Sequence, residues 1–232
     1  MIIYAVIINQ LLDNMENLKD GKKPANYFNQ SRKEMLNYVP KDAKRVLDIG
    51  CGKGIFSQLL KENTGAETWG VEMDKESAQL AANRMDKVLV GDIMTLLEEI
   101  PDNYFDCLVF NDVLEHLSDP NMLLEKMKNK LSDDGVIISS LPNVRYFFNL
   151  YELLFKRDWR YTDAGILDRT HLRFFTKKSI IRMFEELGYE VVSIRGINSL
   201  RAWKFFPINI MTLGFINDSR YLQYATVARI KK

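Results

Sequence analysis

Cysteine and histidine are scarce in this sequence of 232 residues, which contains two of each. Cys51 and Cys107 stand far apart and form neither a CxxC pair nor a zinc-ligand spacing. So small a number excludes a disulfide scaffold and is typical of proteins from a reducing compartment. The sequence therefore predicts a cytoplasmic protein that binds no metal.

An excess of charge of one sign and a long hydrophobic run are also missing. The 32 basic and 31 acidic residues give a net charge of +1, so the sequence lacks the basic footprint of a dedicated nucleic-acid binder. The apolar start, Met1 to Ile8, is too short to span a bilayer, and it has neither the basic leading region nor the cleavage site of a signal peptide. We therefore expect no nucleic-acid partner and no stable membrane insertion.

From residue 45 onward, short apolar segments alternate with helical patterns. The apolar segments are almost continuously hydrophobic, as strands buried on both faces of a parallel sheet are. Asp119 and Thr176 are candidate N-caps of two of the helices. This alternation predicts an α/β fold with a doubly wound, mostly parallel seven-stranded sheet. The predicted strands are Arg45–Ile49, Thr68–Glu72, Val88–Val90, Phe105–Phe110, Val136–Leu141, Tyr189–Ile197 and Tyr221–Ile230.

Three segments fall outside this alternation. Residues 1–40 are predicted to form an N-terminal helical segment, and residues 41–232 the main domain, with lid insertions near 143–175 and 198–220. The second insertion is rich in aromatic residues, which suits a hydrophobic lid, a dimer surface or an interfacial contact with a lipid-linked acceptor. We expect a monomer or a homodimer.

A glycine-rich turn follows the first predicted strand. Gly50, Gly52 and Gly54 alternate along it, and glycine lets the backbone turn tightly and approach a ligand closely. A dinucleotide site would need a further glycine where Ile55 stands. Asp48 faces the turn and suits a ligand that carries an ammonium group better than a pyrophosphate. S-adenosylmethionine carries both an ammonium and a sulfonium group, whereas NAD carries neither.

Polar residues recur at the carboxyl ends of the predicted strands, where open α/β sheets bind their ligands. Glu72 closes the second strand and is placed to accept hydrogen bonds from the hydroxyl groups of an adenosine ribose. The full set at this edge is Asp48, Glu72, Asp92, Asn111 and Asn143.

Taken in order, these segments resemble the motifs of class I S-adenosylmethionine-dependent methyltransferases. The resemblance covers about 100 residues and implies the methyltransferase fold, with S-adenosylmethionine as cofactor and S-adenosylhomocysteine as product. The five matching segments are Val46–Gly54, Val71–Asp74, Val90–Ile93, Phe105–His116 and Gly135–Asn143. The cofactor-binding residues that it implies are Asp48, Gly50, Cys51, Gly52, Gly54, Glu72, Met73, Asp92, Ile93, Asn111 and Asp112.

The segment ahead of the sheet is also implied to contribute to the cofactor site. Tyr27, Phe28 and Arg32 are predicted to lie on one helix. In related small-molecule methyltransferases this segment folds over the cofactor, so Arg32 is expected to pair with the methionyl carboxylate.

The two histidines, His116 and His171, are the candidate catalytic residues, because histidine titrates near neutral pH. Each histidine also has a non-catalytic interpretation. His116 is then a residue near the adenine or at the start of a helix, and His171 is a lid residue held by a hydrogen bond. Asp168–Thr176 resembles a block in methyltransferase domains of surface-polysaccharide biosynthesis. It implies O-methylation of a hydroxyl of a sugar or sugar-lipid. We interpret His171 as the general base and Asp168 as the residue that orients it. The nearby polar side chains suit a hydroxyl-rich ligand, and the nearby aromatic side chains suit either stacking on a sugar or packing in a core. Those side chains are Asp163, Arg169, Arg173, Tyr146, Phe147, Trp159 and Tyr161.

The sequence thus predicts a methyltransferase that acts on a hydroxyl of a sugar, glycan or glycolipid. Two alternatives stay open. One is a small-molecule O- or C-methyltransferase like those of quinone biosynthesis, and the other is a module that binds the cofactor without catalysis.

Overall fold

The computed structural model describes residues 31–200, 205 and 209–232. Tyr27, Phe28 and most of the predicted N-terminal segment lie outside these residues. The strands are β1 (Arg45–Ile49), β2 (Glu67–Glu72), β3 (Lys87–Val90), β4 (Phe105–Asn111), β5 (Leu131–Pro142), β6 (Tyr189–Ser199) and β7 (Tyr221–Ile230). The α-helices of the described residues are α1 (Ile55–Thr64), α2 (Lys75–Ala81), α3 (Ile93–Leu96), α4 (Pro120–Met127), α5 (Phe147–Tyr151) and α6 (Lys177–Glu186).

The strands form one seven-stranded sheet with the order β3-β2-β1-β4-β5-β7-β6. Strands β1 to β5 pair in parallel, whereas β7 runs antiparallel to both β5 and β6. The predicted seven-stranded α/β fold is confirmed, and the sheet is mixed because of β7. The order reverses between β1 and β4, so the carboxyl ends of these two strands flank a crevice.

Two apolar cores cover the two faces of the sheet. Successive side chains of a strand point to opposite faces, and accordingly Leu108 and Phe110 of β4 belong to one core while Cys107 and Val109 belong to the other. Helices α4 and α6 pack into the first core, and α1 packs into the second. Burial on both faces explains why the central strands are apolar at almost every position.

The predicted helix caps are confirmed. The Asp119 carboxylate accepts a hydrogen bond from the Met122 amide at the start of α4, and Pro120 occupies the first turn. Thr176 and Ser179 form a reciprocal capping box at the start of α6. These caps fix where each helix begins, and they thereby set the loops that face the crevice.

The chain leaves the sheet after β5. It forms α5 and one π-helical turn, Glu152–Lys156, and returns through a loop that bridges Asn143 to Phe175. Arg145 forms an ion pair with Asp218, 2.8 Å between Nε and a carboxylate oxygen, which ties this segment to the one before β7. Within the described ranges, none of the helices is long and apolar enough to cross a membrane.

Candidate functional site

A cleft of about 580 Å³ opens at the carboxyl ends of the parallel strands. All but one of the described residues that were predicted to bind the cofactor line this cleft, and Gly54 is the exception. Both candidate histidines line the same cleft. The lining members of the predicted set are Arg32, Asp48, Gly50, Cys51, Gly52, Glu72, Met73, Asp92, Ile93, Asn111 and Asp112.

The three glycines of the turn have different roles. All three adopt a left-handed conformation, which favours glycine. A Cβ on Gly50 would lie 2.7 Å from Val113 Cγ2, whereas a Cβ on Gly52 would meet nothing within 4 Å and would project into open space. A Cβ on Gly54 would lie 3.0 Å from Ala81 Cα, so Gly54 allows α1 and α2 to pack closely.

Glu72 fixes the main chain beside the cleft through hydrogen bonds. One carboxylate oxygen accepts from the Gly52 amide at 2.7 Å, and the other accepts from the Asp74 amide at 2.9 Å. Each oxygen has a second lone pair, so Glu72 fixes the glycine turn and can still accept from ribose hydroxyl groups.

Asp48 is a buried carboxylate with one hydrogen bond, from Ser57 Oγ at 2.7 Å. Burial raises the pKa of Asp48 from 3.8 to about 7, with Ser57 opposing the rise and the charge of Glu72 adding to it. A cation placed at Asp48 would relieve this cost, because an opposite charge favours the ionised form.

Other members of the predicted set support the cleft mainly through the backbone or through packing. The Cys51 thiol points away, towards Gly70 and Met85, so Cys51 contributes its main chain to the cleft. Asp92 accepts from the Met94 amide and caps α3. Ile93 is buried beside it, and Met73 is 70% exposed at the rim.

Asn111, at the end of β4, supplies unsatisfied polar atoms. Its side-chain nitrogen and oxygen are both buried and have no partner among the described residues. Such atoms are costly unless a ligand completes them. Together with the open space at Gly52 and the buried acid at Asp48, they fit a ligand that carries polar groups and a positive charge, as S-adenosylmethionine does.

A second group of side chains also lines the cleft. Glu115, His116 and His171 each place one potential ligand atom within 4.8 Å of the others. The two imidazole rings meet edge to face, with centroids 4.7 Å apart. Burial raises the pKa of Glu115 well above its usual range, and the charge of Asp112 raises it further. Burial lowers the pKa of His116, as does the neighbouring His171.

Comparison with known proteins identifies the fold and the family. A family profile described as a methyltransferase domain matches residues 22–194, which is well over half of the chain. The chain belongs to this methyltransferase family. The crystal structure of an S-adenosylmethionine-dependent methyltransferase from Archaeoglobus fulgidus has the same fold, with a TM-score of 0.67 and 23% identity over 88% of this chain and 96% of that one. The protein is therefore an S-adenosylmethionine-dependent methyltransferase.

Two curated relatives are similar in sequence. An uncharacterized protein of Methanocaldococcus jannaschii is 30% identical over 67% of this chain and 68% of its own length. A ubiquinone biosynthesis O-methyltransferase of Actinobacillus pleuropneumoniae is 30% identical over 52% of this chain. The methyltransferase spans 56% of that second relative.

Arg32 of the methyltransferase lies against the cleft wall, but not on a helix. Its backbone is left-handed, and the short 3-10 helix Lys33–Tyr38 begins after it, so the expected helix does not include it. The guanidinium group forms an ion pair with Asp112 at 3.0 Å and donates to Gln223 at 3.0 Å. Gln223 also donates to Asp112, at 2.7 Å. Arg32 and Asp112 thus partner each other, and the pairing of Arg32 with the methionyl carboxylate stays a prediction.

The loop that carries His171 is held by local hydrogen bonds. The Asp168 carboxylate accepts from the Thr170 amide at 2.8 Å, and the Asp168 carbonyl accepts from the His171 amide at 3.0 Å. The ring Nδ1 of His171 lies 2.9 Å from the Ile166 carbonyl oxygen. Asp168 therefore shapes the turn, and Ile166 accepts the ring hydrogen bond.

Several side chains that were expected near an acceptor lie elsewhere. Arg169 forms an exposed ion pair with Asp163, and Arg173 donates to the Ser118 carbonyl. The four aromatic residues do not line the cleft and pack on other rings; Trp159 and Tyr161, for example, both contact Phe174. These side chains make their contacts within the protein, and their role towards an acceptor stays a prediction.

Asn143 is likewise absent from the cleft. Its fully buried amide donates to the Asp218 and Tyr221 carbonyls and anchors the end of β5. In contrast, Gln223 and Glu115 line the cleft although neither was predicted as a site residue, and Glu115 lies within the matching segment Phe105–His116. Gln223 arrives on the antiparallel strand β7, whose register could not be derived from the motifs of the parallel strands.

The space above Gly52 gives a first test of the cofactor site. We expect Gly52→Ala to weaken S-adenosylmethionine binding at least fivefold in a calorimetric titration, because its Cβ would enter the cleft. Gly65→Ala is the matched control, since Gly65 also has a positive φ and open space around its Cβ but lies at the end of α1. Both variants should lose roughly 1 kcal/mol of stability from the left-handed conformation. Equal cofactor affinity in the two variants would remove Gly52 from the binding surface.

Proposed function

We propose that this methyltransferase transfers the methyl group to a hydroxyl oxygen. The proposal rests on the cluster of Glu115, His116 and His171, which lines the same cleft as the glycine turn. A hydroxyl is a weak nucleophile until its proton is removed, and groups that accept or displace a proton are therefore needed beside it. An amine acceptor would not require such groups.

In this proposal, His171 accepts the proton of the acceptor hydroxyl. A carbonyl oxygen can only accept a hydrogen bond, so the contact with Ile166 fixes the proton of the neutral ring on Nδ1 and leaves the lone pair on Nε2. Asp168 positions the ring through the turn that it stabilises. S-adenosylmethionine supplies the methyl group from its sulfonium, so the protein contributes mainly alignment and proton removal.

Two acceptor classes follow from different observations. The resemblance of Asp168–Thr176 to methyltransferase domains of polysaccharide biosynthesis supports a hydroxyl of a sugar, glycan or glycolipid. The similarity to ubiquinone biosynthesis O-methyltransferases supports a phenolic hydroxyl on a small molecule. The cluster suits both classes, because both acceptors must lose a proton.

An acceptor screen tests the proposal. The protein would be incubated with S-adenosylmethionine labelled at the methyl group, and with nucleotide sugars, short glycans, catechols and matched amines. We expect the label in an ether product that mass spectrometry identifies, and S-adenosylhomocysteine in equal amount. The comparison between sugars and catechols decides the acceptor class, and transfer to amines alone would contradict O-methylation.

A further inference from the structure

The histidine cluster has the donor set of a metal centre. Glu115 and His116 are adjacent on the short 3-10 helix Leu114–His116 after β4, and His171 reaches them from the loop after β5. Two imidazoles and one carboxylate are the protein ligands of several catalytic metal sites, which leave further positions open for water or substrate. The sequence predicted no metal, since His171 lies far from Glu115 and His116 along the chain.

Both rings are held in the tautomer that metal ligands use. His116 Nδ1 lies 3.1 Å from the Thr170 carbonyl oxygen, and His171 Nδ1 lies 2.9 Å from that of Ile166. In each ring the proton is therefore on Nδ1 and the lone pair is on Nε2. A ligating histidine commonly donates its other ring N–H to a main-chain carbonyl, which orients the ring.

The environment of the Glu115 side chain independently supports a cation at this position. The residue is fully buried, and neither carboxylate oxygen has a hydrogen-bond partner among the described residues. The main chain of Glu115 is fixed, because its carbonyl accepts from the amides of Leu172 and Arg173 at 2.8 and 3.0 Å. A carboxylate held in this way is costly without a partner, and a divalent cation would provide one.

We propose that Glu115, His116 and His171 bind a divalent transition-metal ion, of which Mn²⁺ and Zn²⁺ are examples. Zinc–nitrogen and zinc–oxygen bonds are about 2.0–2.2 Å long, so ligand atoms around one ion lie about 3–3.5 Å apart. The separations here are up to 4.8 Å, and an ion would draw the three groups together by about an ångström. All three line the cleft, so an ion can enter from it.

The role of this ion rests on the proposed function. A bound cation lowers the pKa of a hydroxyl that shares its coordination. The proton then passes to solvent, and the oxygen keeps the electron pair that forms the bond to the methyl carbon. His171 would act as a ligand in that case, and the ion would take over the proton-removing role proposed above for its ring.

Metal binding is tested directly on untagged protein stripped of metal with a chelator. Mn²⁺ and Zn²⁺ are titrated separately, and binding is followed by calorimetry and, for Mn²⁺, by electron paramagnetic resonance. We expect one ion per chain, with Zn²⁺ bound more tightly than Mn²⁺. Glu115→Gln and His171→Asn should each weaken binding at least tenfold. Glu76→Gln, an exposed acid on α2, is the matched control and should bind as the wild type does.

The possible results separate the two proposals. Absence of saturable binding, or equal binding in Glu115→Gln and the control, would overturn the metal site. Methyl transfer to a hydroxyl that persists unchanged in excess chelator would also overturn it, while the proposed O-methylation would stand. Site-specific metal binding without transfer to any hydroxyl would support the metal site and count against O-methylation. Cofactor affinity within about twofold of wild type verifies that both variants are folded.

Discussion

Replacing His171 with asparagine is expected to lower turnover by roughly 10²–10⁴-fold, the usual contribution of a proton-transferring group. The asparagine amide can still donate to the Ile166 carbonyl, which accepts from Nδ1 in the wild type. It has no counterpart of Nε2, so the loop is retained while the proton acceptor or metal ligand is lost. Affinity for S-adenosylmethionine should stay within about twofold, because His171 is not among the residues that are implied to bind the cofactor.

The measurement is a single-turnover rate together with a calorimetric cofactor titration. Leu172→Asn is the matched control, since Leu172 is the next residue and its side chain is 52% exposed. A rate for His171→Asn close to that of the control would mean that His171 only supports the loop. Parallel losses of rate and cofactor affinity would instead indicate a general disturbance of the cleft.

Replacing Asp48 with asparagine is expected to weaken S-adenosylmethionine binding by roughly 10- to 100-fold, the range for losing a hydrogen bond to a charged group. The same change should stabilise the cofactor-free protein. The pKa of Asp48 is raised from 3.8 to about 7, so the folded state binds its proton more tightly than the unfolded state does. Stability is therefore lost as the pH rises from about 4 to 7, and it stays low above that range.

The size of this stability effect is on the order of 4 kcal/mol at pH 8. The stability advantage of Asp48→Asn over the wild type should shrink as the pH is lowered. Urea unfolding of both proteins at pH 8 and at pH 5 measures this difference. Asp133→Asn, at an exposed position, should show neither effect. An asparagine variant that binds the cofactor as wild type does would show that the buried carboxylate does not face the methionyl ammonium group.

The wild-type cofactor affinity should also depend on pH. Asp48 becomes protonated below about pH 7, and a neutral carboxyl attracts an ammonium group weakly. Binding should therefore weaken as the pH falls from 8 to 6, and the Asp48→Asn variant should lack this part of the dependence.

Local patterns were sufficient to predict the sheet and the helix starts. The continuous apolar segments predicted the bounds of most strands to within a few residues. Asp119 and Thr176 cap their helices as expected. The prediction was less accurate where burial is decided by distant contacts. Strand β5 begins at Leu131, well before the predicted Val136, because Leu131 pairs with Phe105 across a register shift.

The acceptor end of the cleft could not be derived from local patterns. Glu115 follows a buried strand and reads as one more polar residue entering a loop, yet the 3-10 turn after β4 buries it completely. His171 is held beside it by long-range contacts, among them the hydrogen bonds that the amides of Leu172 and Arg173 donate to the Glu115 carbonyl. The one available signal was that both histidines of the chain were candidate catalytic residues.

Strand β7 is the last of the seven strands to be translated, although it lies inside the sheet between β5 and β6. While the ribosome is still making the residues before Tyr221, β5 presents an open edge, and β6 has no strand with which to pair. Gln223, which holds both Arg32 and Asp112 at the cleft, arrives on this same strand. A nascent chain therefore cannot complete either its sheet or this wall of its cofactor cleft until β7 has been made, after the other six strands.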